Sequence, residues 1–290
     1  MTTAWILGSM GWMPSRDQQT ACVLVELQDD LVLLDAGTGV ANLALCTNVL
    51  GRHERLHVLL SHYHLDHMAG LMYLKRFTAN KIVDVYGPGR YAYPRSTAEY
   101  IADVLQPAVY SLGPTGFARE VRYHDFPGDH FCAGDVRVSV RPQSHSSPSF
   151  EIRLNDDITY ATDTSFNAKN WHEVCPTKLL LHECWQSEEL DSRHTSIQSL
   201  IASMPETFGR VVLIHQNPAW DDSERAEVER LARSRRFELA YDGMVIEAGY
   251  HPCTPERQAH QDEPVAIRAP EHKQEVLPIC TLPQGTSHII

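Results

Sequence analysis

The sequence predicts an α+β chain in which two sheets carry helices on their outer faces, and three observations predict it. Short apolar runs separated by turn residues alternate with segments of helical spacing between Ala4 and Tyr86. A second series of strand-like runs begins at Val136 and again alternates with helical spacing up to Glu247. The 290 residues, 43% hydrophobic and 21% charged, are enough for one large domain or two small ones with a real buried core. Disorder is excluded as the main state.

The elements follow in order. Ala4 to Gly8 and Ala21 to Leu27 are apolar runs, Gln28-Asp29-Asp30 is a tight turn, and Leu31 to Asp35 is a buried strand ending at Ala36-Gly37-Thr38-Gly39. Val40 to Leu50 has helical spacing, Leu56 to Ser61 is another buried strand, Met68 to Arg76 is helical, and Ile82 to Tyr86 is a strand. From Gly87 to Gly134 the pattern loosens into a Gly-, Pro- and Tyr-rich stretch. It holds one helix, opened by Ser96 with Glu99 three residues on and stopped by Pro107, and is expected to be a loop insertion over a site. Strands resume at Val136 to Val140, Phe150 to Leu154, Ile158 to Thr162, Leu179 to Leu181 and Val211 to Ile214. Helices are expected at Ser196 to Ser203 and Ser223 to Arg233, and Phe237 to Glu247 reads as a hairpin turning at Asp242-Gly243. Residues 1–250 are therefore expected to form the folded domain. Residues 251–290 carry Pro252, Pro255, Pro264, Pro270, Pro278 and Pro283 among polar residues and are expected to form a disordered or loosely docked tail.

Composition limits the partners. A net charge of −12 argues against holding nucleic acid by general electrostatics, because a polyanion needs Lys and Arg to release its counterions. No apolar run reaches the roughly 20 residues of a membrane span, and Met1-Thr2-Thr3-Ala4-Trp5 lacks the layout of a signal peptide, so a cytoplasmic protein is expected. The seven cysteines are scattered and form no C-x-x-C pair, which indicates neither a disulfide framework nor a zinc knuckle.

Sixteen histidines are the unusual number, and the densest signal is Ser61-His62-Tyr63-His64-Leu65-Asp66-His67 at the end of a buried strand. Three imidazoles and a carboxylate in six residues pack poorly, because each buried ring nitrogen needs a partner; metal satisfies that demand. In an extended loop His62 and His64 point the same way and can grip one ion, while Asp66 and His67 can serve a second. Further candidate ligands follow buried strands: His145, Asp163 and His215.

The set Asp35, His62-x-His64-x-Asp66-His67, His145, Asp163 and His215, in this order, resembles the metallo-β-lactamase superfamily over about residues 4–249. The Ile6-Leu-Gly-Ser-Met-Gly-Trp-Met-Pro14 segment with Arg16, Tyr86-Gly87-Pro88, Leu181-His-Glu-Cys184, His194-Thr195-Ser196 and Tyr241-Asp-Gly-Met244 are similar to ribonuclease Z and its small phosphodiesterase relatives. The resemblance implies a four-layer αββα sandwich with the site at one edge. It implies that His62, His64 and His145 hold one zinc, that Asp66, His67 and His215 hold the other, and that Asp163 bridges them; Mn2+ or Fe are alternative ions. Asp35 would brace the His loop without touching metal. Asp66, Glu183 and His194 are the implied catalytic residues, with Glu183 orienting His194 toward a phosphate. Thr195 with Gln198 reads as a capping box, which would place His194 just before a helix amino terminus.

Two departures move the substrate away from tRNA. Transfer-RNA processing ribonuclease Z carries a long arm between the third and fourth metal motifs, whereas here only two strands and a turn separate His145 from Asp163; and His215 is followed by Gln216-Asn217-Pro218 where an Arg is usual. The expected activity is hydrolysis of a small phosphodiester, such as a cyclic nucleotide, by a hydroxide bridging two zinc ions. A lactone, thioester or other ester is the alternative on the same metal core. A mononuclear iron sulfur-oxidising enzyme and a non-catalytic scaffold are alternatives of a different class. Tyr91, Tyr93, Tyr100, Tyr110 and Phe117 are candidates for the pocket wall. Many relatives dimerise, so a homodimer is an expectation from the resemblance.

Overall fold

The computed structural model describes residues 2–165, 177–188, 193–204 and 209–249; the expected tail, 251–290, lies outside the described residues. The first of two seven-stranded sheets runs β1 (Thr2–Gly8), β2 (Cys22–Leu27), β3 (Asp30–Leu34), β4 (Arg55–Leu59), β5 (Ile82–Gly87) and β6 (Glu120–Asp125), with β14 (Val245–Ala248) on the free edge of β1. The second runs β7 (His130–Ala133), β8 (Val136–Gln143), β9 (Ser149–Leu154), β10 (Ile158–Ala161), β11 (Leu179–Glu183), β12 (Arg210–Ile214) and β13 (Glu238–Leu239). Near the edge of its sheet, β8 alternates buried Val136, Val138 and Val140 with more exposed Arg137, Ser139 and Arg141, the period-2 pattern of a strand covered on one face. At the centre, β11 is buried at every position because both its faces are covered.

Alternate side chains of the two sheets meet in one core: Ile6, Val25 and Leu34 share it with Val138, Ile152 and Leu181. The outer face of the first sheet buries Leu24, Leu33 and Leu56 beneath Val40, Leu43, Leu71 and Ile101 of its helical turns. Leu180 and Leu213 do the same beneath Ile197, Leu200 and Val228 of the second sheet's helices. The result is the αββα order of layers. No helix among the described residues is long and apolar enough to cross a membrane.

Local readings fare differently. Ser96 caps the helix Thr97–Val104 with a reciprocal Glu99 bond, as its spacing predicts. The helical spacing of Val40 to Leu50 becomes a 3₁₀ stretch, Thr38–Cys46, followed by the short α-helix Thr47–Arg52. The stretch read as an insertion, 87–134, contributes an edge strand to each sheet, β6 and β7. It is the crossover between the two sheets, and its polar alternation hid both strands. The expected 237–247 hairpin does not form, since β13 joins β12 in the second sheet while β14 joins β1 in the first. The Asp242-Gly243 turn carries the chain from one sheet to the other.

Topology then fixes where chemistry can sit. β3, β4 and β5 are parallel neighbours, as are β10, β11 and β12. Asp35, Ser61-His62, Asp163, Glu183 and His215 therefore all lie at strand carboxyl ends, along one edge of the sandwich.

Candidate metal centre

The structure brings the sequence-predicted residues together. Donor atoms of His62, His64 and His145 lie within 4.8 Å of one another, as do those of Asp66, His67, Asp163 and His215, and those of Asp163, Glu183, His194 and His215. Asp163 stands between the first two groups: Oδ2 is 2.7 Å from His67 Nε2, 3.1 Å from His215 Nε2 and 3.6 Å from His62 Nε2, while Oδ1 is 3.3 Å from His145 Nε2. Asp66 Oδ2 approaches the same nitrogens of His67 and His215, at 3.3 and 3.6 Å.

These contacts are close without being hydrogen bonds. Asp163 Oδ2, His62 Nε2 and His215 Nδ1 are buried and have no hydrogen-bond partner. Buried polar atoms are rarely left so, since each costs about 1–3 kcal/mol. Pairs of imidazole nitrogens face one another, His64 Nδ1 with His145 Nε2 at 3.4 Å and His67 Nε2 with His215 Nε2 at 3.3 Å. Imidazole and carboxylate donors converging from several directions suit divalent cations such as zinc, so the residues fit the implied metal.

A surrounding set of bonds fixes the ring orientations. Asp35 is fully buried; Oδ1 accepts from the Ser61 N–H at 2.7 Å, and Oδ2 accepts from Ser61 Oγ at 2.8 Å, Tyr160 Oη at 2.8 Å and His67 Nδ1 at 2.6 Å. Donation from Nδ1 leaves His67 Nε2 facing Asp66 and Asp163. Asp35, Asp163 and His215 all hold left-handed backbone, with φ of 54°, 51° and 49°. Each is a sharp turn within two residues of a strand's end, costing about 1–2 kcal/mol, which turns the donor inward. Trp12 N–H donates to Asp66 Oδ2 at 2.8 Å, and a Cβ added to Gly11 would come within 2.3 Å of the His215 ring, so the loop after β1 lies flat on this half of the site. Ser147 Oγ meets His64 Nε2 at 3.1 Å.

Electrostatics follow from this enclosure. Burial, reinforced by the charge on His67, pushes His62 well below its usual range and keeps it neutral, the form that ligates. Burial would also push His67 down, but Asp66, Asp35 and Asp163 outweigh it and hold that ring well above its usual range. Burial opposes ionisation of Asp163, yet His215 and His67 hold it well below the usual carboxylate range.

Glu183 and His194 stand beside the donor groups. Glu183 is fully buried, and its Oε2 lies 3.0 Å from His194 Nδ1; its Oε1 accepts from Thr195 N–H at 2.8 Å and Thr164 N–H at 3.2 Å. Burial alone would raise Glu183, but its bond to His194 and the nearby His215 ring hold it below the usual range. His194 stacks on Trp185, with ring centroids 4.4 Å apart and planes 18° apart, and its Nδ1 is 3.9 Å from Asp163 Oδ1. The expected capping box fails: Ser196, not Thr195, caps Ile197–Ser203, because Thr195 Oγ1 donates to Thr164 O and its N–H is held by Glu183. His194 is thus positioned by Glu183 and Trp185, and not by the helix terminus.

The aromatic pocket wall divides. Phe117 is fully buried and Tyr110 packs beside it, in the core beneath the first sheet. Tyr100 stacks on Tyr63 of the His loop at 4.6 Å, Tyr93 packs against the same ring tilted at 4.9 Å, and Tyr93 Oη donates to Pro148 O at 2.7 Å, bracing the segments that carry His64 and His145.

A family model described as anti-Pycsar protein Apyc1 matches residues 6–236 of the 290-residue chain. The chain belongs to the anti-Pycsar Apyc1 family. Members of the wider superfamily are similar too. Ribonuclease Z of Methanopyrus kandleri is 32% identical over 151 residues, 51% of this chain and 48% of that protein. The probable metallo-hydrolase YhfI of Bacillus subtilis is 23% identical over 182 residues, 62% of this chain and 70% of that protein. The chain spans about half the length of the ribonuclease Z relatives it matches. Among solved structures, YhfI of Bacillus subtilis superposes with a TM-score of 0.63 at 19% identity, over 85% of this chain and all of that one. A diphosphatase of the PhnP family superposes with a TM-score of 0.65 at 15% identity, over 87% of this chain and 99% of that one. This Apyc1-family chain therefore has the metallo-β-lactamase fold and is similar in sequence to ribonuclease Z.

Proposed function

We propose that this Apyc1-family chain is a dinuclear zinc hydrolase of small phosphodiesters, with a cyclic nucleotide as the preferred substrate. In this reading His62, His64 and His145 hold one ion, Asp66, His67 and His215 hold the other, and Asp163 is shared. The bound ions would lower the pKa of water, polarise a phosphoryl oxygen and stabilise the charge that develops there.

The observation that carries the choice of phosphodiester is the Glu183–His194 pair at the rim of the donor groups. With Nδ1 committed to Glu183, His194 presents Nε2 to a substrate, where it can donate a proton to a phosphoryl oxygen or to a departing alkoxide. Glu183, fixed by two backbone N–H groups, orients the imidazole, and Trp185 holds the ring plane. An alkoxide is a poor leaving group and needs that proton; an activated ester does not. Asp35 and Ser61 keep the His loop in place during turnover.

A small substrate is supported by what lies between His145 and Asp163. The interval holds β9, a turn and β10, leaving no arm for gripping tRNA, and the chain's net charge is −12. The test is turnover by zinc-loaded protein of 2′,3′- and 3′,5′-cyclic nucleotides, bis-p-nitrophenyl phosphate, a lactone and a precursor tRNA. Cyclic nucleotides should be cleaved and precursor tRNA should not. Selective cleavage of the lactone would transfer the assignment to ester hydrolysis.

A further inference from the structure

Large apolar side chains are exposed beside the donor groups, where water would favour polar ones. Trp12 is 64% exposed, Leu65 63% and Met13 47%. Leu65 precedes Asp66 in the His loop, and the Trp12 N–H to Asp66 bond ties the loop bearing Trp12 and Met13 to it. Trp12 also holds left-handed backbone at φ 59°, an unfavourable conformation for a bulky residue in any loop. A glycine or asparagine would satisfy that backbone and still donate the N–H to Asp66. The indole is therefore not explained by the turn it occupies, nor by burial, nor by the hydrogen bond its residue makes. On the same half of the site Trp185 lies against the His215 ring, with centroids 5.6 Å apart.

We propose that Trp12, flanked by Leu65, is a specificity-determining platform on which the aromatic base of a nucleotide substrate stacks while its phosphodiester reaches the donor groups. The inference rests on the phosphodiesterase reading and narrows it to diesters that carry a planar base. Stacking on an indole is tolerant of which base is presented, because every base has a π face. An aromatic platform on a polar rim also acts on binding and not on bond cleavage, so its effect belongs in KM.

The experiment compares the zinc-loaded parent with Trp12→Ala and Trp12→Phe on a 3′,5′-cyclic nucleotide and on glycerol 1,2-cyclic phosphate, which has no base. Trp12→Ala should raise KM for the nucleotide about tenfold with kcat nearly unchanged, leave the base-free substrate unaffected, and keep its zinc; Trp12→Phe should recover most of the loss. An unchanged nucleotide KM in Trp12→Ala would overturn the platform and leave the phosphodiesterase reading intact. So would an equal rise on both substrates. A KM change accompanied by zinc loss would mark Trp12 as a brace of the metal loop and overturn the proposal equally. Cleavage of the base-free diester alone by the parent would refute the base preference, and cleavage of neither would refute both readings.

Discussion

Replacing Asp35 by Asn tests how the His loop is held, because it removes a charge while keeping shape. The left-handed backbone at Asp35 is one that Asn also adopts, so the turn itself should survive. In the parent, Oδ2 receives Ser61 Oγ, Tyr160 Oη and His67 Nδ1, and Oδ1 receives the Ser61 N–H. An amide nitrogen at the Oδ2 position would face three donors. The two hydroxyls can turn and accept, but the His67 ring cannot without giving up its tautomer. Flipping the amide only moves the conflict to the Ser61 N–H. At least one charge-assisted bond is lost, about 1.5–3 kcal/mol, and a stranded hydroxyl would bring the total to about 5 kcal/mol. Zinc affinity should fall roughly 10- to 100-fold, the usual consequence of removing the partner that orients a ligating imidazole. Urea unfolding of the metal-free protein and competition with a chromogenic chelator measure the two effects. Parent-like stability together with parent-like zinc affinity would refute the reasoning.

Two further predictions concern chemistry and folding. His194→Ala should lower kcat on an alkyl phosphodiester by about 10² to 10⁴ with zinc content intact, and should cost less on a p-nitrophenyl ester; Glu183→Gln should reproduce part of the loss, and equal phosphodiester turnover in the parent and His194→Ala would contradict the role. Asp84 is buried, and although burial raises its carboxyl, bonds to His124 and Arg55 outweigh it and hold it below the usual carboxylate range. A depressed folded-state pKa gives stability that is present above the unfolded value of about 3.9 and lost as pH falls through the folded one. Asp84→Asn should therefore cost about 1–2 kcal/mol at neutral pH, with the gap to the parent closing below about pH 4 in denaturant titrations; a gap that is constant with pH would show that charge is not its source.

The parts of the molecule legible in its sequence are those written in short segments. The His62-x-His64-x-Asp66-His67 string announces a metal loop because its spacing is local, and β4 before it is buried from Leu56 to Leu59. The order of the later donors follows from each standing at a strand end. What stayed hidden depends on partners far away in the chain. Tyr160 reaches Asp35 across 125 positions, and nothing around either residue forecasts the bond. The Asp242-Gly243 signal does mark a turn, but the strands on either side pair with β12 and β1 in preference to each other, so a local rule yields a false hairpin. Thr195 loses its capping role to Glu183 and Thr164 for the same reason. Trp185 reads as one more apolar residue until the fold lays it against His194.

The claim that supports all the rest is that two ions share Asp163. Metal analysis of gently purified protein and of Asp163→Ala tests it most directly, because that carboxylate lies within reach of both donor groups. About two zinc ions per parent chain are expected, with a marked loss in Asp163→Ala, since that substitution removes the one carboxylate that faces both donor groups and offsets the repulsion between adjacent cations. A single iron in the parent, or full occupancy retained without Asp163, would contradict it.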